Sequence, residues 1–225
     1  MSKEPDLKAE ERKARELVSE FLSLFYQKGW VAGTGGGICA SLTKDLFLMA
    51  PTGVHKERVA PADLFVVDRK EGLIIRPPKN NALRLSECST IFCKLINKRG
   101  AGSVMHSHAL SAVLAADLAG EKDQVVFQGL EMLKGIRGLT NADHHAVPVI
   151  RNTAREPELL KEIGEQIDQP HFGKAYCILV RDHGAYIWGA DIWETKRHAE
   201  VYHFLFEATV ARAKGVGHGA PKVNI

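Results

Sequence analysis

Tyr176–Trp188, YCILVRDHGAYIW, consists of two short apolar runs on either side of a polar turn. Tyr176–Val180 and Ala185–Trp188 are rich in β-branched and aromatic residues, and the sequence Asp182-His183-Gly184 between them is typical of a turn. Two strands joined by so short a turn pair in the antiparallel sense, because parallel pairing needs a crossover of a dozen or more residues. The segment therefore predicts an antiparallel hairpin with His183 at its turn.

Outward from this hairpin, strands and helices alternate along the chain. Leu64–Val67 and Leu73–Ile75 flank Arg69-Lys70-Glu71-Gly72 and predict a second hairpin. Pro157 suits the first position of a helix that runs to Ile167, and Asp191 begins a long helix that ends near Lys214. Because hairpins replace several of the crossovers of a Rossmann sheet, the pattern favours an α/β layered sandwich with a largely antiparallel sheet.

The composition is that of an ordinary globular protein. The chain has 225 residues, of which 45% are hydrophobic and 25% charged, a size that suits one domain. Its net charge is +3, and the basic residues form no continuous stripe, so we expect no nucleic acid partner. No apolar run is long enough to span a bilayer, so we expect no membrane partner either. The four cysteines form no CxxC pair, which favours free thiols in the cytoplasm. We expect frayed ends at about 1–12 and 214–225.

The histidines indicate a metal site. In Met105-His106-Ser107-His108 the two imidazoles stand at i and i+2 at the end of a predicted strand, so they share a face and can bind one ion. Two solvated histidines are the ordinary alternative. His183 supplies a third imidazole at a turn between two apolar strands. Three neutral imidazoles leave one coordination position open, which is the arrangement of catalytic zinc.

Other candidate residues are weaker when they are considered alone. Gly33–Gly37 is a glycine turn whose backbone N–H groups can form an anion nest, and Ala50-Pro51-Thr52-Gly53 is a similar strand-to-turn segment. A tight turn is the ordinary interpretation of either one. Glu131 is ordinarily a solvated surface residue, and Cys88 is ordinarily a small buried apolar residue.

Taken together and in order, the motifs of the chain resemble the class II aldolase/adducin family. The resemblance extends from about Phe21 to Lys214 and implies one class II aldolase/adducin-like domain over residues 1–225, with a layered α/β/α sandwich. The motifs that carry it are Gly29–Ile38, Ala50–Arg58, Arg99–His108, Glu131–Ile136, Val149–Thr153 and Val180–Gly189.

The resemblance also implies roles for individual residues. His106, His108 and His183 match the ligands of one zinc ion per chain, and Glu131 matches the general acid/base. Cys88 matches a position in the sugar pocket. The residues that match the phosphate-binding loops of the wider family are Gly36, Thr52, Gly53 and Ser86. Members of the family form homotetramers with active sites near subunit contacts, so the resemblance implies a homotetramer that acts on a small sugar phosphate.

Position 88 bears on the reaction. By the resemblance, Cys88 stands where sugar-phosphate aldolases carry a glutamate and where dehydratases carry a cysteine, which favours dehydration of a ketose 1-phosphate. The neighbouring Glu87 keeps open the alternative, an aldolase that cleaves the C3–C4 bond. A third possibility is a non-enzymatic interaction module, as in adducin-like members. Such a module is expected to have lost metal ligands, and this chain retains all three.

Overall fold

The structure, a computed structural model, describes residues 7–215. Its centre is a nine-stranded sheet with the order β5-β4-β2-β1-β7-β11-β10-β9-β8, beside a two-stranded sheet of β3 and β6. All neighbours pair in the antiparallel sense except β9 and β10, which are parallel. The strands are β1 (Gly37–Ser41), β2 (Leu46–Met49), β3 (Pro51–Thr52), β4 (Phe65–Asp68), β5 (Ile74–Arg76), β6 (Arg84–Leu85), β7 (Ser103–Ser107), β8 (Gln124–Phe127), β9 (His145–Ile150), β10 (Cys177–Val180) and β11 (Gly184–Gly189).

Helices cover both faces of the large sheet. They are α1 (Leu7–Gln27), α2 (Ser89–Arg99), α3 (Leu110–Asp117), α4 (Leu160–Ile167) and α5 (Ile192–Ala213). The core on one face is formed with α1, α3 and α5, and the core on the other face with α2 and α4. Successive residues of a strand point to opposite faces, so Met105 packs into the first core and Val104 into the second. The predicted layered α/β/α sandwich with a largely antiparallel sheet is therefore confirmed.

Both predicted hairpins are present. In the first, β10 pairs with β11, with Cys177 opposite Ile187, and in the second, β4 pairs with β5, with a register shift between Val66 and Val67. The helix predicted from Pro157 begins later, because Glu156–Leu159 forms a 3-10 helix and α4 starts at Leu160. This tighter turn matters for the functional site, since it holds Glu156.

The long C-terminal helix begins at the predicted cap. The Asp191 carboxylate accepts the backbone N–H of Glu194 at 2.7 Å, which satisfies one of the unpaired donors of the first turn. The Glu194 side chain in turn accepts the N–H of Ala190 at 2.7 Å. Of the ends expected to fray, residues 1–6 and 216–225 lie outside the described residues. Within 7–215, no helix combines the length and the low charge that a membrane crossing requires.

Candidate metal centre

Three imidazoles converge at the end of the central strand. His106 lies in β7, His108 directly follows that strand, and His183 lies in the turn between β10 and β11. Since β7 pairs with β11, with His106 opposite Tyr186, the turn is brought beside the end of β7. The three Nε2 atoms are 2.8 Å (His106 to His108), 3.1 Å (His106 to His183) and 3.2 Å (His108 to His183) apart. The structure thus brings together the three histidines whose sequence pattern indicates a metal site.

The hydrogen bonds of two rings leave their Nε2 lone pairs facing this common point. Nδ1 of His106 donates to the carbonyl of Ala185 at 3.1 Å, and Nδ1 of His183 donates to Oδ1 of Asn152 at 3.1 Å. Each ring is thereby held in the tautomer whose Nε2 accepts, as second-shell partners of metal ligands do. Converging lone pairs repel one another unless a cation lies between them. Tetrahedral zinc with Zn–N bonds of about 2.0–2.1 Å separates its nitrogens by about 3.3 Å, close to the observed triangle.

Burial keeps these imidazoles in the neutral form that binds metals. Desolvation is the main cause that lowers the pKa of His106 well below its usual value, and the neighbouring His108 and His183 add to it. Burial also lowers the pKa of His108 to about 4 and lowers that of His183. The residues therefore fit a divalent cation such as zinc, because a neutral imidazole can bind a metal through its unprotonated nitrogen.

Close packing fixes the rings. Tyr186 stacks flat on His106, with ring centroids 4.1 Å apart and an interplanar angle of 4°. On the other side, the glycine turn lies directly against the site. A Cβ on Gly35 would lie 2.9 Å from Cε1 of His108 and closer still to Nδ1, and one on Gly36 would lie 2.6 Å from the carbonyl oxygen of His106. The glycines at these two positions are therefore needed for the close approach of the turn to the histidines.

Glu156 also lies at this site, although no motif in the sequence indicated it. Its Oε1 is 3.9 Å from Nε2 of His106 and 4.0 Å from Nε2 of His183, and it belongs with the three histidines to one group of potential metal ligands. Its Oε2 accepts a hydrogen bond from Sγ of Cys88 at 2.5 Å and one from the hydroxyl of Tyr186 at 3.5 Å. One available signal was the position of this segment after β9, because the carboxyl ends of neighbouring parallel strands meet at one edge of a sheet.

Cys88 lies beside Glu156, and it is not in a disulfide. All four cysteines are free and buried. Burial is the main cause that raises the pKa of the Cys88 thiol well above its usual value, and the charge of Glu156 raises it further. The side chain is therefore a neutral thiol that donates a hydrogen bond to the carboxylate.

Lys56 adds a positive charge beside these groups. The residue is 1% exposed, and its ammonium donates to the carbonyl oxygens of Thr34 at 2.6 Å and Val54 at 3.1 Å. Burial lowers its pKa, while the nearby Cys88 and Glu156 act in the opposite direction. The lysine thus ties the glycine turn to the loop after β3 and brings a cation to the site.

The residues predicted to hold the phosphate lie on neighbouring segments. Thr52 lies in β3 opposite Arg84 of β6, and the Arg84 guanidinium is close to Gly53, which has a φ of 66°. Ser86 is buried directly after β6, and its hydroxyl accepts the N–H of Cys88 at 3.3 Å. The structure thus brings Thr52, Gly53 and Ser86 together, and the exposed Arg84 adds a charge that suits an anion.

The structure places Glu131 elsewhere. It begins the 3-10 helix Glu131–Gly135, its side chain is 69% exposed, and it pairs with Lys134 at 2.5 Å. Leu130 and Leu133 beside it pack into the core with α5, whereas Tyr186, which stacks on His106, packs into the core on the α2 face. Glu131 does not belong to the group of potential metal ligands formed by the three histidines and Glu156 of its own chain.

Comparison with solved structures confirms the fold. The structure matches YgbL from Escherichia coli, described as a putative aldolase/epimerase/decarboxylase, with a TM-score of 0.75 and 17% identity over 93% of this chain and 92% of that one. It also matches the L-fuculose-1-phosphate aldolase from Thermus thermophilus, with a TM-score of 0.64 and 20% identity over 92% of this chain and 100% of that one. At such identities the likeness concerns the fold alone.

Sequence comparison shows the family. Residues 16–210 match the family model for the Class II Aldolase and Adducin N-terminal domain. The chain is 38% identical to the mouse methylthioribulose-1-phosphate dehydratase over 89% of this chain and 84% of that protein. It is also 38% identical to a probable bifunctional methylthioribulose-1-phosphate dehydratase/enolase-phosphatase E1 from Arabidopsis thaliana, of whose length it spans only 41%. The chain therefore belongs to the class II aldolase and adducin family, and its relatives there include curated methylthioribulose-1-phosphate dehydratases.

Proposed function

We propose that the protein catalyses the zinc-dependent dehydration of 5-methylthioribulose 1-phosphate to 5-methylthio-2,3-dioxopentyl phosphate and water, a step of methionine salvage. The observation that carries the proposal is the convergence of three Nε2 atoms within 3.2 Å of one another, in a chain 38% identical to the mouse dehydratase. The four free cysteines agree with a reducing compartment such as the cytoplasm.

His106, His108 and His183 would hold one zinc ion per chain. Bound there, zinc supplies a Lewis acid that polarises the carbonyl of the ketose and stabilises charge on its oxygen. The protein contributes rigid ligands: His106 is fixed by Ala185 and Tyr186, and His183 by Asn152. Rings held in this way need little rearrangement when charge develops in the transition state.

The phosphate would lie near Gly36, Thr52, Gly53 and Ser86. The pairing of β3 with β6 and the position of the Arg84 guanidinium beside Gly53 support this, because a glycine N–H and a guanidinium are both good phosphate donors. Gly36 lies against the backbone of His106, so an anion bound to these loops sits close to the metal centre. Cys88 would line the sugar pocket between the two.

Glu131 would transfer the proton at C3 and return one to the departing C4 hydroxyl. Because Glu131 lies outside the group of potential metal ligands of its own chain, this role requires that it serve the site of a neighbouring subunit within the homotetramer that we propose. Mixed oligomers test this arrangement. A mixture of inactive His106→Ala and Glu131→Gln subunits regains activity if Glu131 serves a neighbouring site, and stays inactive if each chain uses its own Glu131.

The product distinguishes the proposed reaction from its alternative. A dehydratase retains all carbon atoms of the ketose phosphate in one product, whereas an aldolase releases dihydroxyacetone phosphate and an aldehyde. The metal requirement is tested with His106→Ala, which should lose zinc and activity together. Full zinc content in that variant would remove His106 from the ligands, and release of dihydroxyacetone phosphate by the wild-type enzyme would replace dehydration with aldol cleavage.

A further inference from the structure

The carboxylate of Glu156 is largely buried and accepts hydrogen bonds from Cys88 and Tyr186, but it has no charged side chain in direct contact among the described residues. Its side chain is 20% exposed, and within residues 7–215 it lies near the neutral imidazoles of His106 and His183 and forms no ion pair with a lysine or arginine. Lys56 lies nearby, but its ammonium is bonded to two backbone carbonyls. A largely buried carboxylate is costly unless it is paired with a cation or coordinates a metal. The cation that fits the histidines would also fit this carboxylate.

The two oxygens of Glu156 face different neighbours. Oε1 is 3.9 Å from Nε2 of His106 and 4.0 Å from Nε2 of His183. Ligand atoms of a tetrahedral zinc ion are separated by about 3.3 Å, so Oε1 lies roughly 0.6 Å beyond a coordinating position. Coordination therefore requires the Glu156 carboxylate to move toward the histidines by about this distance.

The other oxygen is held in place. Oε2 accepts the thiol of Cys88 at 2.5 Å and the hydroxyl of Tyr186 at 3.5 Å. Hydrogen bonds to one oxygen of a carboxylate orient its other oxygen, here Oε1, toward the metal site. Tyr186 also stacks on His106, so a single side chain contacts both His106 and Glu156.

The contact with Cys88 gives this cysteine a specific role. By resemblance, position 88 is where related aldolases carry a glutamate. Here the thiol at position 88 touches a carboxylate that comes from a different segment, the 3-10 helix Glu156–Leu159. A carboxylate is therefore retained beside the three histidines although position 88 does not supply it.

We propose that Glu156 is the fourth protein ligand of the metal in the substrate-free enzyme, and that Cys88 is a positioning residue that holds its carboxylate. This inference rests on the metal site of the proposed function and adds to it a ligand from another segment. Substrate oxygens that bind the metal must displace the Glu156 carboxylate or expand the coordination number, as catalytic zinc sites can do.

Metal titration of the metal-free protein tests the proposal without an activity assay. Glu156→Gln should weaken zinc binding by about 100-fold or more, since loss of even a second-shell partner costs about 10- to 100-fold. Cys88→Ala should weaken it by about 10-fold. The matched control is Glu158→Gln, which changes an exposed carboxylate in the same 3-10 helix and should leave zinc affinity unchanged.

Cobalt substitution supplies a second readout. In Co²⁺-loaded Glu156→Gln, water should replace the carboxylate, so the visible absorption should change and become dependent on pH. Glu156→Asp keeps the negative charge but shortens the side chain by one methylene group. This variant replaces Glu156→Gln in the same measurements if the glutamine variant fails to fold. Zinc affinity within threefold of wild type together with an unchanged cobalt spectrum would overturn the proposal. If the wild-type protein itself binds no zinc, the proposed function fails instead.

Discussion

Gly35→Ala should damage the metal centre while leaving the fold intact. A Cβ at this position would lie 2.9 Å from Cε1 of His108 and closer to its Nδ1, whereas an ordinary carbon–carbon contact is about 3.5–4.0 Å. The ring must therefore move by about 0.6–1 Å or more. Metal–ligand distances tolerate only about 0.2 Å, so this displacement takes Nε2 of His108 out of bonding range.

The expected loss of zinc affinity is about 10- to 100-fold, by analogy with the removal of a group that orients a ligand. The assay is a competition titration of the metal-free protein against a chromogenic chelator, with a thermal melt of the metal-free form as the measure of folding. Gly37→Ala is the matched control, because a Cβ there would make only an ordinary contact, 3.8 Å from Cε of Lys56. If Gly35→Ala binds zinc as tightly as Gly37→Ala, the glycine turn adapts and the argument from close packing is wrong.

Three further predictions concern turnover and acid stability. Glu131→Gln should keep zinc and fold but lose about 10²- to 10⁴-fold in kcat, the contribution of a positioned acid/base, and near-normal kcat in steady-state assays would leave Glu131 as a surface residue. Cys88→Ala should change KM or kcat, because its thiol lies in the site, and unchanged values of both would remove it from the sugar pocket. Burial lowers the pKa of His145 and of His203 to about 4, so the unfolded chain takes up protons before the native protein does as the pH falls below about 6.5. Each histidine should cost about 2 kcal/mol of stability at pH 5 relative to pH 8, and urea titrations that show equal unfolding free energies at the two pH values would contradict this.

The fold was predictable because its signals are local. The hairpin with His183 at its turn needs only two apolar runs and a short polar connection, and it forms between β10 and β11 as predicted. The spacing of His106 and His108 on one strand fixes their common face in the same way. Local sequence was less informative about the start of α4, since Pro157 is compatible both with an α-helix and with the 3-10 helix that forms there.

Glu156 was not predictable from its own surroundings. It follows Arg155 and precedes Pro157 and Glu158 in a polar connection, where a solvated glutamate is the ordinary expectation. Its contact with Cys88 joins residues 68 positions apart and depends on the parallel pairing of β9 with β10. The exposure of Glu131, by contrast, agrees with the ordinary interpretation of such a residue, a solvated surface glutamate.

Because β7 lies in the middle of the sheet, the candidate metal centre has a rigid part, at the end of β7, and a more mobile part, in the segments that carry His183 and Glu156. β7 is hydrogen-bonded to β1 on one side and to β11 on the other, so the amide of His106 should exchange with deuterium only when the whole domain unfolds. His183 lies in a turn, and Glu156 in the connection between β9 and α4, so we expect both segments to open at a lower free energy. We therefore expect the two imidazoles at the end of β7 to be the rigid part of the site, and a metal ion bound there to exchange with solvent through local opening of the other two segments.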